Sequence, residues 1–215
     1  MKVIDLTQTI EEKMPVYPGT EGPRLEPAST YERDGFRETL LTLYSHTGTH
    51  MDAPAHLFPD RTTLDGFPAS QFLGKGLVVD CREFQPGEEI SMSKIQAVRD
   101  LADQAEFLLF LTGWGRFWGK EEYFGEYPVI SREICEYVLQ SGKKGVGFDT
   151  IGIDPVADSG LTRHRLLFAQ EVVVIENLKN LELVGSELFW FAALPMKYQD
   201  ADGAPVRAVA LTEEV

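Results

Sequence analysis

Cysteine is almost missing from this chain of 215 residues: Cys81 and Cys135 stand alone, without a C-x-x-C pair. Two isolated thiols make neither a disulfide framework nor a zinc knuckle, and both are expected in the core. Long apolar runs are missing too. Residues 107–111 and 189–194 are the longest, far short of the roughly 20 residues a membrane helix needs. The opening segment MKVIDLTQTIEEKMP puts charges where a signal peptide requires an unbroken apolar stretch. Basic residues are scarce, 20 Lys and Arg against 34 Asp and Glu, for a net charge of −14. Nucleic acid demands a basic face that releases counterions, so it is an unsuitable partner. A cytoplasmic protein is expected, with no membrane or nucleic-acid partner.

What remains is an ordinary globular composition, 43% hydrophobic and 25% charged, long enough for one substantial core. No repeat, low-complexity tract or Ser/Gly linker divides the chain, so a single domain over residues 1–215 is expected. Residues 36–45 suggest a strand leading into a histidine cluster. Residues 76–81 (GLVVDC) suggest another. Ser93, with Gln96 three residues on, suggests a capping box for a helix. Residues 107–112 (FLLFLT) read as a buried strand. Ser131 can cap a second helix whose Ile134, Tyr137 and Val138 share one face, with Gly142 beyond its end. Residues 146–149 follow as a strand. Alternation of this kind favours a parallel sheet flanked by helices. Residues 171–177, 188–193 and 206–211 lack a strong helix between them and are expected to pair antiparallel. The fold class is therefore α/β, a single-domain mixed β-sheet core with flanking helices.

The chemistry starts at S-H-T-G-T-H-M-D-A-P-A-H-L-F, residues 45–58. Three of the chain's four histidines lie within eleven residues, with Asp52 among them. Imidazole and carboxylate suit Zn, Mn or Fe. On a straight strand His46 and His50 would stand about 13 Å apart, too far to share an ion. A helix would bring them together, but Thr-Gly-Thr fills a helix poorly and Pro54 follows. A bend at Gly48 is the remaining solution, since a residue without Cβ accepts unusual backbone angles.

At these residues the sequence resembles the cyclase family of metal-dependent hydrolases, which includes bacterial kynurenine formamidases and isatin hydrolases. The family pattern H-x-G-T-H-x-D-x-P-x-H stands intact from His46 to His56. Pro15-Val16-Tyr17-Pro18-Gly19 resembles an early P-V-W-P-G segment. Residues 109–114 match L-x-x-T-G-W, and His164 followed by residues 173–178 matches a late histidine and V-V-I-E-N-L strand.

The resemblance implies a fold of the swivelling β/β/α kind and a binuclear Zn or Mn site. His46, His50 and Asp52 would hold the first metal. Asp52, His164 and Glu176 would hold the second, with Glu176 contributing to both. His56 would stand beside the site as general acid and base, and Tyr17 would contact substrate where the family carries tryptophan. Thr20 also departs from the family, where the formamidases carry Asp. Read without the resemblance, His164 is a surface histidine in a polar loop, and Glu176 is as readily a solvated strand end. The implied reaction is hydrolysis of a small amide, an aryl formamide of the N-formylkynurenine type. A cyclic amide of the isatin type, a cyclase or dehydratase, and a non-catalytic metal-binding protein are the alternatives.

Further expectations concern the surroundings of the site. Phe67, Phe72 and Trp114 are candidates for an aromatic pocket, and Asp149 and Asp154 for support of the loop bearing His164. A small-molecule substrate is expected. A homodimer or higher homo-oligomer is expected too, with residues 116–118 and 122–124 as candidate contact surface.

Overall fold

The computed structural model describes residues 1–213. The chain opens with β1 (Lys2–Asp5) and a hairpin of β2 (Arg24–Ser29) and β3 (Glu38–Thr42), with the single turn α1 (Tyr31–Asp34) at its tip. After β4 (His50–Asp52) comes the alternating section. It runs through β5 (Leu73–Asp80), the short β6 (Glu89–Ile90), helices α2 (Ser93–Ala97) and α3 (Arg99–Gln104), and β7 (Phe107–Leu111). The short β8 (Val129–Ile130), helix α4 (Arg132–Gln140) and β9 (Gly145–Phe148) complete that section. Helix α5 (Thr162–Phe168) leads to β10 (Val173–Glu176), and β11 (Phe189–Pro195) and β12 (Gly203–Thr212) finish the chain. Among the described residues no helix is long and apolar enough to cross a membrane.

The main sheet closes on itself. Its order is β1-β12-β11-β5-β7-β9-β10-β4, and β4 also pairs with β12. The short β4 therefore has a partner on both edges: Glu176 of β10 lies opposite His50, and Gly203 of β12 lies opposite Asp52. Closure gives a barrel-like core and leaves β4 no free edge.

Strands β5, β7 and β9 pair in parallel, as the alternation predicts. The expectation for residues 171–177 is half corrected. Strand β10 is antiparallel to β4 but parallel to β9, not paired with the later strands. A parallel pair needs a crossover, and α5 supplies it where the polar text Thr-Arg-His-Arg suggested a loop. Strands β11 and β12 are antiparallel as expected. Of the two caps, Ser131 behaves as read, its hydroxyl accepting from the Ile134 amide at 3.3 Å. Ser93 does not. It is the first helical residue, its hydroxyl lies 2.6 Å from that of Ser91, and the helix breaks at Val98 with φ −124°. The strand expected over 36–45 is β3, whose five residues are all exposed.

Strand β7 shows why its sequence is continuously apolar. Phe107, Leu109 and Leu111 join Met51, Ile175 and Phe191 in one buried cluster. Leu108 and Phe110 join Ile95, Ile134, Val138 and Leu167 beneath the helices in the other. A strand covered on both faces has no polar alternation to show. Each such side chain contributes roughly 1.5–3 kcal/mol on burial. Gly147 on the neighbouring β9 completes the fit. A Cβ there would come within 2.7 Å of both Leu109 Cδ2 and Leu178 Cδ1. Cys81 and Cys135 are both buried and free, as their isolation suggested.

Candidate metal centre

The bend lies at Gly48, with φ +67°, where a Cβ would meet Met14 Cε at 3.3 Å. The chain turns there and enters β4. Side chains alternate along a strand, so His50 and Asp52 face one way while Met51 enters the apolar core. Pairing with β10 then sets Glu176 beside His50, their Nε2 and Oε2 atoms 3.5 Å apart. His46 returns over the same face because Gly203 leaves room for it. A Cβ at that position would stand 2.5 Å from the imidazole Cε1.

Asp52 is the centre of the arrangement. Its Oδ1 lies 2.6 Å from His46 Nδ1 and 3.1 Å from His50 Nε2. Its Oδ2 looks the other way, 3.6 Å from His164 Nε2, which is itself 3.1 Å from Glu176 Oε1. Two triads share Asp52, His46–His50–Asp52 and Asp52–His164–Glu176, and a third group at the rim joins His46 to His56 and Asp202, each with donor atoms within 4.8 Å of one another. The five residues of the two triads on Asp52 come from β4, its preceding loop, α5 and β10. His164 is buried on the helix instead of exposed in a loop, and Glu176 is buried at its strand end instead of solvated.

Two of the rings are held by their far nitrogens. His50 Nδ1 donates to the Gly48 carbonyl at 2.9 Å, and His164 Nδ1 donates to Asp154 Oδ2 at 2.7 Å. Both Nε2 atoms are thereby turned toward the carboxylates, the orientation a metal ligand requires. Asp154 also accepts from the amides of Arg163 and His164 at 2.8 and 3.1 Å, anchoring the first turn of α5. That is the support expected of it. Asp149 does something else: it accepts from the amides of Thr112 and Gly113 at 3.0 and 2.8 Å, fixing the turn after β7.

Charge balance tests whether a metal fits. Burial raises the Glu176 carboxyl, and the neighbouring Asp52 raises it further. Burial works against Asp52 as well, but His46 and His50 outweigh it and hold this carboxyl well below its ordinary range. Burial would lower His46, yet Asp52 and Asp202 carry it up to about 10. Burial likewise opposes charge on His50 and His164, and the surrounding carboxylates override it. Two buried carboxylates thus demand positive charge. Protonated imidazoles supply it when no metal is present, and a divalent ion can take their place. The all-nitrogen-and-oxygen donor set, free of thiolate, fits such an ion.

His56 lies at the rim. Its ring centre is 4.1 Å from that of His46, and its side chain is 31% exposed, open to a cavity of about 470 Å³. Burial lowers its pKa, leaving a neutral ring at pH 7. Tyr17 and Thr20 border the same cavity, with Tyr44, Ile151 and Leu161, which the sequence did not single out. Phe67, Phe72 and Trp114 do not. The two phenylalanines pack in the barrel-side core, and Trp114 packs against Tyr123 and Tyr127. Nor is Tyr123 a contact surface, since it is fully buried.

Asp202 also went unread. It faces His46 from the turn before β12, at the far end of the sequence from the histidine motif. An Asp-Gly pair there reads as an ordinary turn.

A buried His/Asp/Glu cluster able to hold a divalent ion thus stands at the mouth of a small-molecule cavity in a closed mixed sheet. The chain belongs to the Cyclase family, whose model ("Putative cyclase") matches residues 4–155. It is 30% identical over 212 residues to an uncharacterized protein of Methanocaldococcus jannaschii, covering 98% of this chain and 100% of that one. It is 29% identical over 208 residues to the kynurenine formamidase of Bacillus cereus, covering 96% of this chain and 95% of the enzyme. Among solved structures, a potential metal-dependent hydrolase with cyclase activity matches with a TM-score of 0.80 at 27% identity, covering 100% of this chain and 99% of that one. An isatin hydrolase bound to the product analogue thioisatinate shares the fold, with a TM-score of 0.90 at 22% identity over 99% of this chain and 93% of that one.

Proposed function

We propose that the protein hydrolyses a small amide whose departing nitrogen is attached to an aromatic ring, an aryl formamide of the N-formylkynurenine type. The observation that carries this reading is the convergence of both ligand triads on Asp52 beside a free, neutral His56. A purely structural metal site closes its coordination and needs no such neighbour.

His46 Nδ1, His50 Nε2 and Asp52 would hold a first divalent ion, Zn or Mn, and Asp52, His164 Nε2 and Glu176 a second. Bound ions supply the hydrolytic chemistry by acidifying water from a pKa of about 15.7 toward 7 and polarising the substrate carbonyl. His56 accepts a proton and returns it to the departing nitrogen, a transfer suited to an imidazole that is neutral before it acts. An aryl amine leaves more readily than an alkyl amine. Tyr17 and Tyr44 border the cavity and offer ring faces to the aromatic part of the substrate.

One observation favours a second substrate class. Among the described residues, no lysine or arginine lines the cavity, so a substrate carboxylate finds no such partner there. Neutral cyclic aryl amides of the isatin type avoid that loss. Metal-loaded protein should be offered N-formylkynurenine and isatin in parallel, each with a chelated control. Chelator-sensitive turnover of either supports amidohydrolysis and selects between them. Full metal occupancy with no turnover of either would overturn it.

We also propose a cytoplasmic homodimer. Support comes from the β2–β3 hairpin, where Leu40 and Leu41 are 55% and 54% exposed. An isolated two-stranded hairpin is marginal in water, and a second subunit would cover this one.

A further inference from the structure

We propose that Asp202 is a positioning residue for the first metal: it fixes the tautomer and orientation of His46, so that Nδ1 rather than Nε2 presents its lone pair to the ion. The inference rests on the reading of His46 as a ligand.

The three ligand imidazoles show the same construction. For His50 the far nitrogen is held by the Gly48 carbonyl, and for His164 by Asp154. His46 is turned the other way round. Its Nδ1 faces Asp52 at 2.6 Å, and its Nε2 donates to Asp202 Oδ2 at 3.1 Å. Asp202 is thus for His46 what Asp154 is for His164. A carboxylate behind a ligand imidazole pins the proton to the far nitrogen and raises the basicity of the near one.

Asp202 is itself held. Ser45 Oγ donates to its Oδ2 at 3.2 Å, and Tyr198 Oη, whose proton is shared with the nearer Gly203 carbonyl, lies 3.1 Å from its Oδ1. Its backbone carbonyl accepts from the Ala53 amide at 2.9 Å, just outside the β4–β12 pairing. The same closure that opposes Gly203 to Asp52 therefore delivers the Asp202 carboxylate to His46. Its Oδ2 also lies 3.8 Å from His56 Nδ1, placing one carboxylate between the ligand ring and the acid–base ring. No short-range spacing links the motif at residues 46–56 to Asp202; only the barrel closure does.

The test is a Zn²⁺ titration of the full-length protein by calorimetry, alongside melting curves of the metal-free variants. Asp202→Leu removes the acceptor at similar volume and should weaken one of two binding events about 10–100-fold, leaving the other unchanged. Asp202→Asn keeps an oxygen acceptor for Nε2–H and should recover most of that affinity. Asp200→Asn removes the same unit of charge two residues away, where the Asp200 carboxylate accepts from Gln199 Nε2 at 3.1 Å, and should change neither event. A fold defect alone would lower both events and the melting temperature together. Undiminished affinity in Asp202→Leu, or an equal loss in Asp200→Asn, would overturn the proposal. His46→Ala separates it from its premise: if that variant keeps both binding events, His46 is not a ligand and the underlying reading fails.

Discussion

Tyr123, fully buried, donates its hydroxyl to Asn177 Oδ1 at 2.7 Å. Asn177 in turn donates through Nδ2 at 2.8 Å to the Gly48 carbonyl, the group that holds His50 Nδ1. A chain of buried hydrogen bonds thus runs from an aromatic cluster to a ligand imidazole. Tyr123→Phe leaves the Asn177 oxygen without its donor. An unsatisfied buried acceptor costs about 1–3 kcal/mol, so the variant should unfold at lower denaturant with an unchanged slope. Metal affinity should fall less than tenfold, because His50 keeps its own bond. An unaltered denaturation midpoint would show that the hydroxyl is dispensable.

Gly48→Ala tests the bend directly. The φ of +67° costs a residue with a side chain roughly 1–2 kcal/mol, and the new methyl would press on Met14 Cε at 3.3 Å. Both effects act between His46 and His50. The expected result is weaker metal binding together with lower stability. A variant that binds metal as tightly as the parent would show that the motif tolerates another backbone path.

This bend is the part of the site most legible in the sequence. His46, Gly48, His50 and Asp52 lie close together, so simple distances exclude a straight strand and leave one geometry. The positions of His164 and Glu176 came from family resemblance, because Thr-Arg-His-Arg carries no apolar period. Only the buried Leu167 and Phe168 after it reveal the helix. Asp202 and Asn177 were illegible for a different reason. Their roles come from β4 pairing with both β12 and β10, and no local propensity encodes that closure. Ser93 misled because a capping pattern was present while its hydroxyl had a nearer partner in Ser91.

His56→Ala should separate metal binding from chemistry. The ring touches the His46 ring and groups with His46 and Asp202 at the rim, but it belongs to neither of the two triads that share Asp52, so metal content should match the parent. Loss of a general acid or base lowers turnover by about 10²–10⁴-fold. Elemental analysis beside turnover measures both. Loss of metal from this variant would make His56 a ligand and remove the basis for its acid–base role.

The metal-free protein should lose stability as pH rises, while its metal affinity climbs. Burial opposes a charged His46, but Asp52 and Asp202 raise its pKa from 6.5 to about 10 in the folded chain. His50 and His164 are raised in the same direction. A raised folded-state pKa means the folded chain binds the extra proton. The stabilisation is complete below about 6.5, the ordinary value, and disappears as pH climbs through the folded value. Melting temperatures of chelated protein should therefore fall from neutral pH toward 10. Metal must displace those same protons, so its affinity should rise over this interval, with protons released to the buffer. Melting curves and calorimetry in buffers of different ionisation enthalpy measure the two effects. Stability of the chelated protein that stays level or increases from pH 7 to 10 would mean that the imidazoles are not the source of positive charge among the buried carboxylates.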